Sequence, residues 1–257
     1  MSTVPTATEA RNPTRAVVVM PTYNERENLP GLVPAILAAS PELDLLIVDD
    51  NSPDGTGKLA DELALQNPER VRVLHRAKKQ GLGPAYHEGF GVALSQGYGR
   101  ILSMDADFSH DPSVLPKLLE AVRDHDVAIG SRYVPGGGTV NWSLARRVLS
   151  RGGSFYGRLV LGVDIRDLTG AFRCYRREVL EKIDTGSLLS TGNTFLIEML
   201  FRVARAGYRV KEIPITFVDR RAGLSKMSAG VIGEALWRVW QVRFAGASRK
   251  PPARTTP

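Results

Sequence analysis

The stretch "LDLLIVDDNSPDGTGKLADELALQN", residues 43–67, decides the fold. Its first seven residues, 43–49, are almost wholly apolar, with no in-out alternation. A strand buried on both faces carries such a run. "NSPDGT" (51–56) then concentrates Asn, Ser, Pro, Asp and Gly, each of which favours a turn for its own backbone reason. A helical pattern follows over 55–67. Strand, sharp turn and helix make half of a βαβ unit.

The same unit repeats on both sides. "AVVVM" (16–20) predicts a first strand, and 28–40 a helix with Leu29, Leu32, Val33, Ile36 and Leu37 at helical spacing. Downstream come strands at 71–75, 100–104 and 126–130, separated by helices at 83–97 and 112–124. Gly89 and Gly91 weaken the first of these helices. Short apolar strands alternating with helices imply a mostly parallel sheet covered on both faces, an α/β fold. After residue 135 the pattern changes. "PGGGTVNW" (135–142) looks like a flexible loop, and 143–162 a basic amphipathic helix. A turn, short strand and helix start follow from Asp167. Residues 194–207 predict a helix, 208–220 a strand, and 228–246 a final helix with Val231, Leu236, Trp237 and Trp240 available to pack.

The composition bounds the remainder. The chain has 257 residues, 43% hydrophobic, with net charge +7. The charge favours an anionic partner: nucleic acid, an anionic lipid surface or a phosphorylated substrate. A single cysteine, Cys174, excludes an internal disulfide framework and suits a reducing compartment. No stretch approaches the roughly 18 apolar residues of a spanning helix, and the polar N-terminus lacks a secretory signal. Residues 1–14 and 247–257 are rich in Pro, Thr and Arg and are expected to be disordered tails around one domain, 15–246.

In open parallel sheets, ligands bind at the carboxyl ends of the strands. Those ends carry "PTYNE" (21–25), "DDNSPDGT" (49–56), "DADFSH" (105–110) and "GSRY" (130–133). Asp105 and Asp107 stand two apart. If the strand persists, both carboxylates face one way and suit a hard divalent cation shared with a diphosphate. Helix capping and solvated turn acids compete with that reading, and Asp111 is the better cap before Pro112. Asp49 and Asp50 could accept bonds from a nucleotide's base or ribose. Tyr23 could stack on a base and Glu25 accept from it. Neither a G-x-G-x-x-G fingerprint nor a P-loop is present. Arg132 follows the fifth strand. Arg146 and Ser150 share a helical face, crowded by Arg147, Arg151 and Arg158. Clustered arginines suit phosphate, and equally an anionic surface. "DRRAGLSK" (219–226) has the form of a mobile phosphate clamp or of a basic surface loop. The four histidines show no paired metal spacing.

Taken together, "VVVMPTYNERENL", "LLIVDDNSPDGT", "SMDADFSHDP", "GSRYVPGG", "NWSLARRVLSRG", "DLTGAFRCYRREVL" and "FVDRRAGLSK" resemble the dolichol- or polyprenol-phosphate mannose synthases. These are inverting family 2 glycosyltransferases of GT-A fold. The resemblance runs from about residue 15 to 245. It implies a nucleotide-sugar half, 15–135, and an acceptor- and lipid-facing half, 136–246. It implies that Pro21, Tyr23, Glu25, Val48 and Asp50 hold the guanosine of GDP-mannose. Asp105 and Asp107, with Ala106 beside them, would bind Mg²⁺ or Mn²⁺ and the donor diphosphate. Some relatives carry Gln where this chain has Ser109, whose shorter hydroxyl would reach the metal through water. Arg132, Arg146 and Ser150 would grip the phosphate of a polyprenyl monophosphate. Arg220 and Lys226 would close over the diphosphate, so Asp105, Asp107 and Arg220 are the expected catalytic residues. The nucleophile is an ionised phosphate, so no general base is expected. Relatives that move glucose or another hexose often carry C-terminal spanning helices, which favours mannose here. The resemblance places the protein peripherally on the cytoplasmic face of a membrane, held by its basic segment or by a membrane-anchoring protein partner. A nucleic-acid partner is not expected, because it leaves the acids at the strand ends without a role.

Overall fold

A computed structural model describes residues 14–183, 185–188, 192, 194–219 and 237–244. Seven strands form the main sheet. They are β1 (Ala16–Thr22), β2 (Leu43–Asp49), β3 (Val71–His75), β4 (Arg100–Ser103), β5 (Val127–Ser131), β7 (Arg173–Arg176) and β8 (Val210–Pro214). Their order is β3-β2-β1-β4-β7-β5-β8. All pairs are parallel except those of β7, which runs antiparallel between β4 and β5. The strand order reverses at β1: β2 and β3 lie on one side, β4 on the other. Such a switch point opens a crevice at the strand ends, here between the loops that follow β1 and β4.

Register aligns the chemistry. Thr22 pairs with Asp49, and Val19 with Ser103, so the loops leave the sheet at nearby points of one edge. Strand parity explains the unbroken apolar runs. Val17 and Val19 enter one core cluster with Tyr86, Phe90 and Phe195. Ala16, Val18 and Met20 enter the opposite one with Leu32, Ile36 and Leu118. Both faces are therefore buried, and each is covered by helices. α1 (Leu29–Ala39), α2 (Thr56–Gln66) and α4 (Leu115–Ala121) supply the second cluster. α3 (Leu82–Ser95) and α7 (Thr194–Arg205) supply the first, with α6 (Arg177–Lys182) beside them. α4 begins with a short 3₁₀ turn, Pro112–Val114, capped as expected by Asp111, whose carboxylate accepts from Ser113 N at 2.9 Å.

The second half departs from the sequence reading in two places. The loop 135–142 contains a strand, β6 (Gly138–Val140), paired parallel with β9 (Thr216–Val218). The single strand expected over 208–220 is two, because the chain leaves the main sheet after Pro214 and enters this small ribbon. α5 (Leu144–Leu161) matches the basic helix, capped by Ser143, whose hydroxyl accepts from Arg146 N at 3.3 Å. Of the expected last helix, 237–244 is helical. There Val239 and Val242 are the buried residues, while Trp237 and Trp240 are exposed. Val231 and Leu236 lie outside the described residues.

Candidate active site

The loops after β1 and β2 are laced together. Thr22 Oγ1 donates to Asp49 at 3.0 Å, Asn24 N to Ser52 Oγ at 3.1 Å, and Glu25 N to Thr56 Oγ1 at 2.9 Å. Asp49 also accepts from Ser52 N at 3.0 Å. "NSPDGT" is thus more than a turn: it holds "PTYNE" in place. Asn24 and Asn51 both adopt positive φ, 61° and 59°, a conformation that asparagine tolerates better than most residues. Tyr23 is half-buried, with the Lys79 ammonium 3.4 Å from its ring centroid, a cation–π contact. Glu25 accepts from Asn28 Nδ2 at 2.6 Å.

Asp50 has a different position from that expected of an open acceptor. Its buried carboxylate pairs with Arg76 and accepts from Gln80 N at 3.1 Å and Gly81 N at 3.0 Å. It therefore organises the loop 76–81, which carries Lys79 to Tyr23. Val48 is fully buried on β2 and packs toward α3. Pro21 is half-buried at the strand end.

β4 ends at Ser103, so strand parity does not aim Asp105 and Asp107. A tight loop does, with Phe108 at φ 59°. Asp107 Oδ1 accepts from Ser109 N at 3.1 Å, and Asp105 N donates to His110 Nδ1 at 3.2 Å. Asp107 and Ala106 are buried, while the Asp105 side chain is one-third exposed. The Ser109 hydroxyl is buried without a hydrogen-bond partner. Two carboxylates and one orphaned hydroxyl fit a hard cation that takes its other ligands from water and a diphosphate. Among the described residues no group of three His, Cys, Asp or Glu side chains could hold a metal alone.

His110 had no role assigned from its spacing, yet it supports this loop. It is buried, stacked on Phe172 at 4.9 Å and edge-on to Phe217 at 5.4 Å. Burial pushes its imidazole down to about 4, against the upward pull of Asp107. A neutral ring accepts at Nδ1 from Asp105 N. Tyr86 is also buried beneath the site. Burial first, then the charge of Asp105, holds its hydroxyl well above the usual tyrosine value.

Beyond the loop that follows β5, α5 turns Arg146, Ser150, Ser154 and Gly157 inward at helical spacing. Arg132 is buried, held by Asp167 through Nε at 2.7 Å and Nη2 at 2.6 Å, and by Thr169 Oγ1 at 2.7 Å. Burial would raise the Asp167 carboxyl, but the bonds from Arg132 outweigh it and hold it below the usual range. Arg132 is thereby fixed more firmly than a free phosphate ligand would be. Arg146 is half-buried, 2.6 Å from Asp219 and 4.1 Å over the Trp142 ring, while Arg132 lies 5.5 Å from the same ring. Ser150 Oγ and Tyr133 OH are 2.5 Å apart. Trp142 and Tyr133 thus bring Arg132, Arg146 and Ser150 together; the only sequence signal was an aromatic in each of two strand-end loops. Arg220 and Lys226 lie outside the described residues.

Comparison with known proteins places the chain in a family. The chain is 52% identical over 232 residues to a polyprenol monophosphomannose synthase of Mycolicibacterium smegmatis, covering 89% of this chain and 88% of that one. It is 50% identical over 225 residues to an undecaprenyl-phosphate mannosyltransferase of Micrococcus luteus, covering 88% and 92%. Its fold matches that of glucosyl-3-phosphoglycerate synthase from Mycobacterium tuberculosis, solved with Mn²⁺, UDP and glucosyl-3-phosphoglycerate. The TM-score is 0.64 at 15% identity, covering 92% of this chain and 81% of that one. The model of "Glycosyl transferase family 2" matches residues 17–184, and the chain belongs to that family.

Proposed function

We propose that the protein transfers mannose from GDP-mannose to a polyprenyl monophosphate, with inversion, to give β-mannosyl phosphoryl polyprenol. The observation that carries this reading is one juxtaposition. A strand-end loop with two carboxylates and an orphaned hydroxyl lies in a chain whose α5 turns Arg146 and Ser150 inward. Two relatives half identical to this chain are named as mannosyl transferases to a polyprenyl phosphate, which supports the sugar and the acceptor.

Tyr23 and Glu25 take the guanine, and Asp50 acts by holding the loop 76–81 against Tyr23. Pro21 and Val48 shape the wall through their backbone. Asp105, Asp107 and Ser109 hold Mg²⁺ or Mn²⁺, which when bound supplies positive charge to the leaving diphosphate. Arg220 and Lys226 add to that charge; stabilising charge as it develops is usually the largest catalytic effect. Arg146 and Ser150 orient the acceptor phosphate, with Arg132 fixing the floor beneath them. The nucleophilic oxygen is already ionised near neutral pH, so the site must position it rather than deprotonate it. Residues 15–135 form the nucleotide-sugar half and 136–246 the acceptor half. No helix among the described residues is long and apolar enough to cross a membrane. In this reading the protein meets its lipid from the cytoplasmic face, by its basic segment or through an anchoring partner.

The test is label transfer to polyprenyl phosphate with Mg²⁺, from radiolabelled GDP-mannose or UDP-glucose. Label entering lipid from GDP-mannose is expected. Glucosyl transfer is the second reading, favoured by the UDP enzyme of the same fold; label from UDP-glucose alone establishes it.

A further inference from the structure

We propose that a cavity between the loop after β5 and the outer side of α5 binds the phosphate headgroup of an anionic bilayer phospholipid. This site is separate from the residues assigned to the acceptor's own phosphate. The inference rests on the reading that the acceptor is membrane-borne.

The cavity has a volume of about 280 Å³ and is lined by Tyr133, Arg151, Phe155, Arg158 and Arg166. Three of these five are cationic and none is acidic. Arg158 Nη2 donates to Asp164 at 2.7 Å, but its Nε is buried without a partner. Arg151 lies 5.8 Å over the Tyr133 ring. No carboxylate pairs with the side chain of Arg151 or Arg166 among the described residues. The nearby acids are engaged elsewhere: Asp167 holds Arg132, and Glu212 accepts from the backbone N–H groups of Arg166 and Asp167 at 2.9 and 3.0 Å. Three guanidinium groups around one space, with an N–H left unsatisfied, call for an anion. Phosphate matches the planar fork of arginine.

The surroundings choose a lipid over a soluble anion. Leu144, Val148, Phe155 and Leu159 recur at helical spacing on the outer side of α5 and are 76, 64, 65 and 73% exposed. Trp237 and Phe244, each 64% exposed, stand on the helical segment 237–244. That segment meets the end of α5 where Arg243 donates to Leu161 O at 2.9 Å. Such apolar and aromatic side chains beside arginines mark a surface that lies in a bilayer interface. Phe155 belongs to both the cavity lining and the apolar stripe, so headgroup and acyl region meet there. The Tyr133–Ser150 bond places the cavity one side chain from the acceptor residues. A headgroup seated here sets the depth at which the acceptor's phosphate reaches Arg146.

Flotation of the full chain with vesicles of phosphatidylcholine plus phosphatidylglycerol, against phosphatidylcholine alone, tests the site. A basic side chain near an anionic leaflet contributes about fivefold in affinity, equivalent to ~1 kcal/mol. Arg147→Gln, on the same helix outside the cavity, should lose about that factor. Arg151→Gln/Arg166→Gln should lose roughly a hundredfold or more, because bidentate contacts are lost along with charge. Its KM for a short, detergent-dispersed isoprenyl phosphate should stay at the wild-type value. The proposal is overturned if the double variant loses no more per charge than Arg147→Gln. It is also overturned if the KM for the short acceptor rises while vesicle binding holds, which assigns the cavity to the acceptor. Vesicle binding is scored whether or not any sugar is transferred, so failure of the mannosyl reading and failure of this site are distinguishable.

Discussion

At the scale of single residues, the acids at the strand ends divide by what already bonds them. Asp49 and Asp50 are buried and saturated with protein donors, so their work is to hold loops. Asp107 accepts from Ser109 N beside that residue's orphaned hydroxyl, the position proposed for a metal ligand. Asp107→Ala should therefore abolish transfer while leaving the circular dichroism spectrum unchanged; unchanged transfer would remove its metal role. His110→Phe tests the support behind it. Phenylalanine keeps the ring contacts with Phe172 and Phe217 but removes the acceptor for Asp105 N. Loss of a group that orients a metal ligand costs ten- to a hundredfold in metal affinity or activity. kcat/KM should fall about that far, while stability falls by only about 0.5–1.5 kcal/mol, the value of the one Nδ1 bond, since Nε2 makes none to lose. Asp167→Asn probes the other side. It leaves buried Arg132 without its counter-charge, which costs about 3–5 kcal/mol in urea denaturation near neutral pH. The Asp167 carboxyl is held below its ordinary 3.8. Its stabilisation is thus complete above that value and is lost as pH falls through the lower folded value. The gap between wild type and variant should narrow below about pH 4. A gap that stays constant there would show that the ionised carboxylate of Asp167 is not the source of the stabilisation.

Among the elements, the helices and parallel strands were legible because both faces of the sheet are buried and the apolar periods are unambiguous. The glycines of α3 show what a period cannot tell. Gly89 and Gly91 weakened that helix equally on propensity, yet the structure separates them. A Cβ on Gly89 would lie 2.5 Å from Val19 Cγ1 and 3.0 Å from Val48 Cγ2, whereas one on Gly91 would meet nothing within 4 Å. Gly89 is the price of close helix–sheet contact under the donor loops; Gly91 is merely permitted. Gly91→Ala should stabilise by roughly 0.5–1 kcal/mol, the helix-propensity difference. Gly89→Ala should destabilise by about 1–3 kcal/mol, as overpacking does. Equal effects of the two in chemical denaturation would contradict the packing. β6 was missed, and β9 was read as one strand with β8, for a different reason. Each is three residues long, and their pairing is set by tertiary contact: Asp219 N bonds Val140 O at 3.2 Å, and Val218 N reaches Ser109 O at 3.4 Å. No local pattern of sequence encodes a ribbon whose partner is 78 residues away.

Across the whole molecule, the insertion of β7 explains why the two halves work as one site. Running antiparallel between β4 and β5, it leaves the carboxyl ends of those strands on the same edge but spaced apart, with the loop of Asp105 and Asp107 on one and Arg132 on the other. Buried Arg173 on β7 secures the spacing by donating to Gly170, Leu196 and Leu168 carbonyls at 2.7–3.0 Å. In the sequence that arginine stands only within the motif "DLTGAFRCYRREVL", with no role of its own. The aromatic chain His110–Phe217–Trp142 then spans from the loop of Asp105 and Asp107 to Arg146. On the proposed assignment, cation and nucleotide would be mutually dependent, because the protein would offer two carboxylates and one hydroxyl while the diphosphate would supply the remaining oxygens. Mn²⁺ alone should therefore shift the melting temperature little, and GDP alone little. The two together, at about a hundred times their dissociation constants, should add about 2.7 kcal/mol by linkage, which is roughly 5–10 °C for a domain of this size. Asp107→Ala should erase the joint shift and keep the small separate ones. A full shift from Mn²⁺ without nucleotide would mean that the chain holds a complete metal site of its own, and the shared-ligand arrangement would then be wrong.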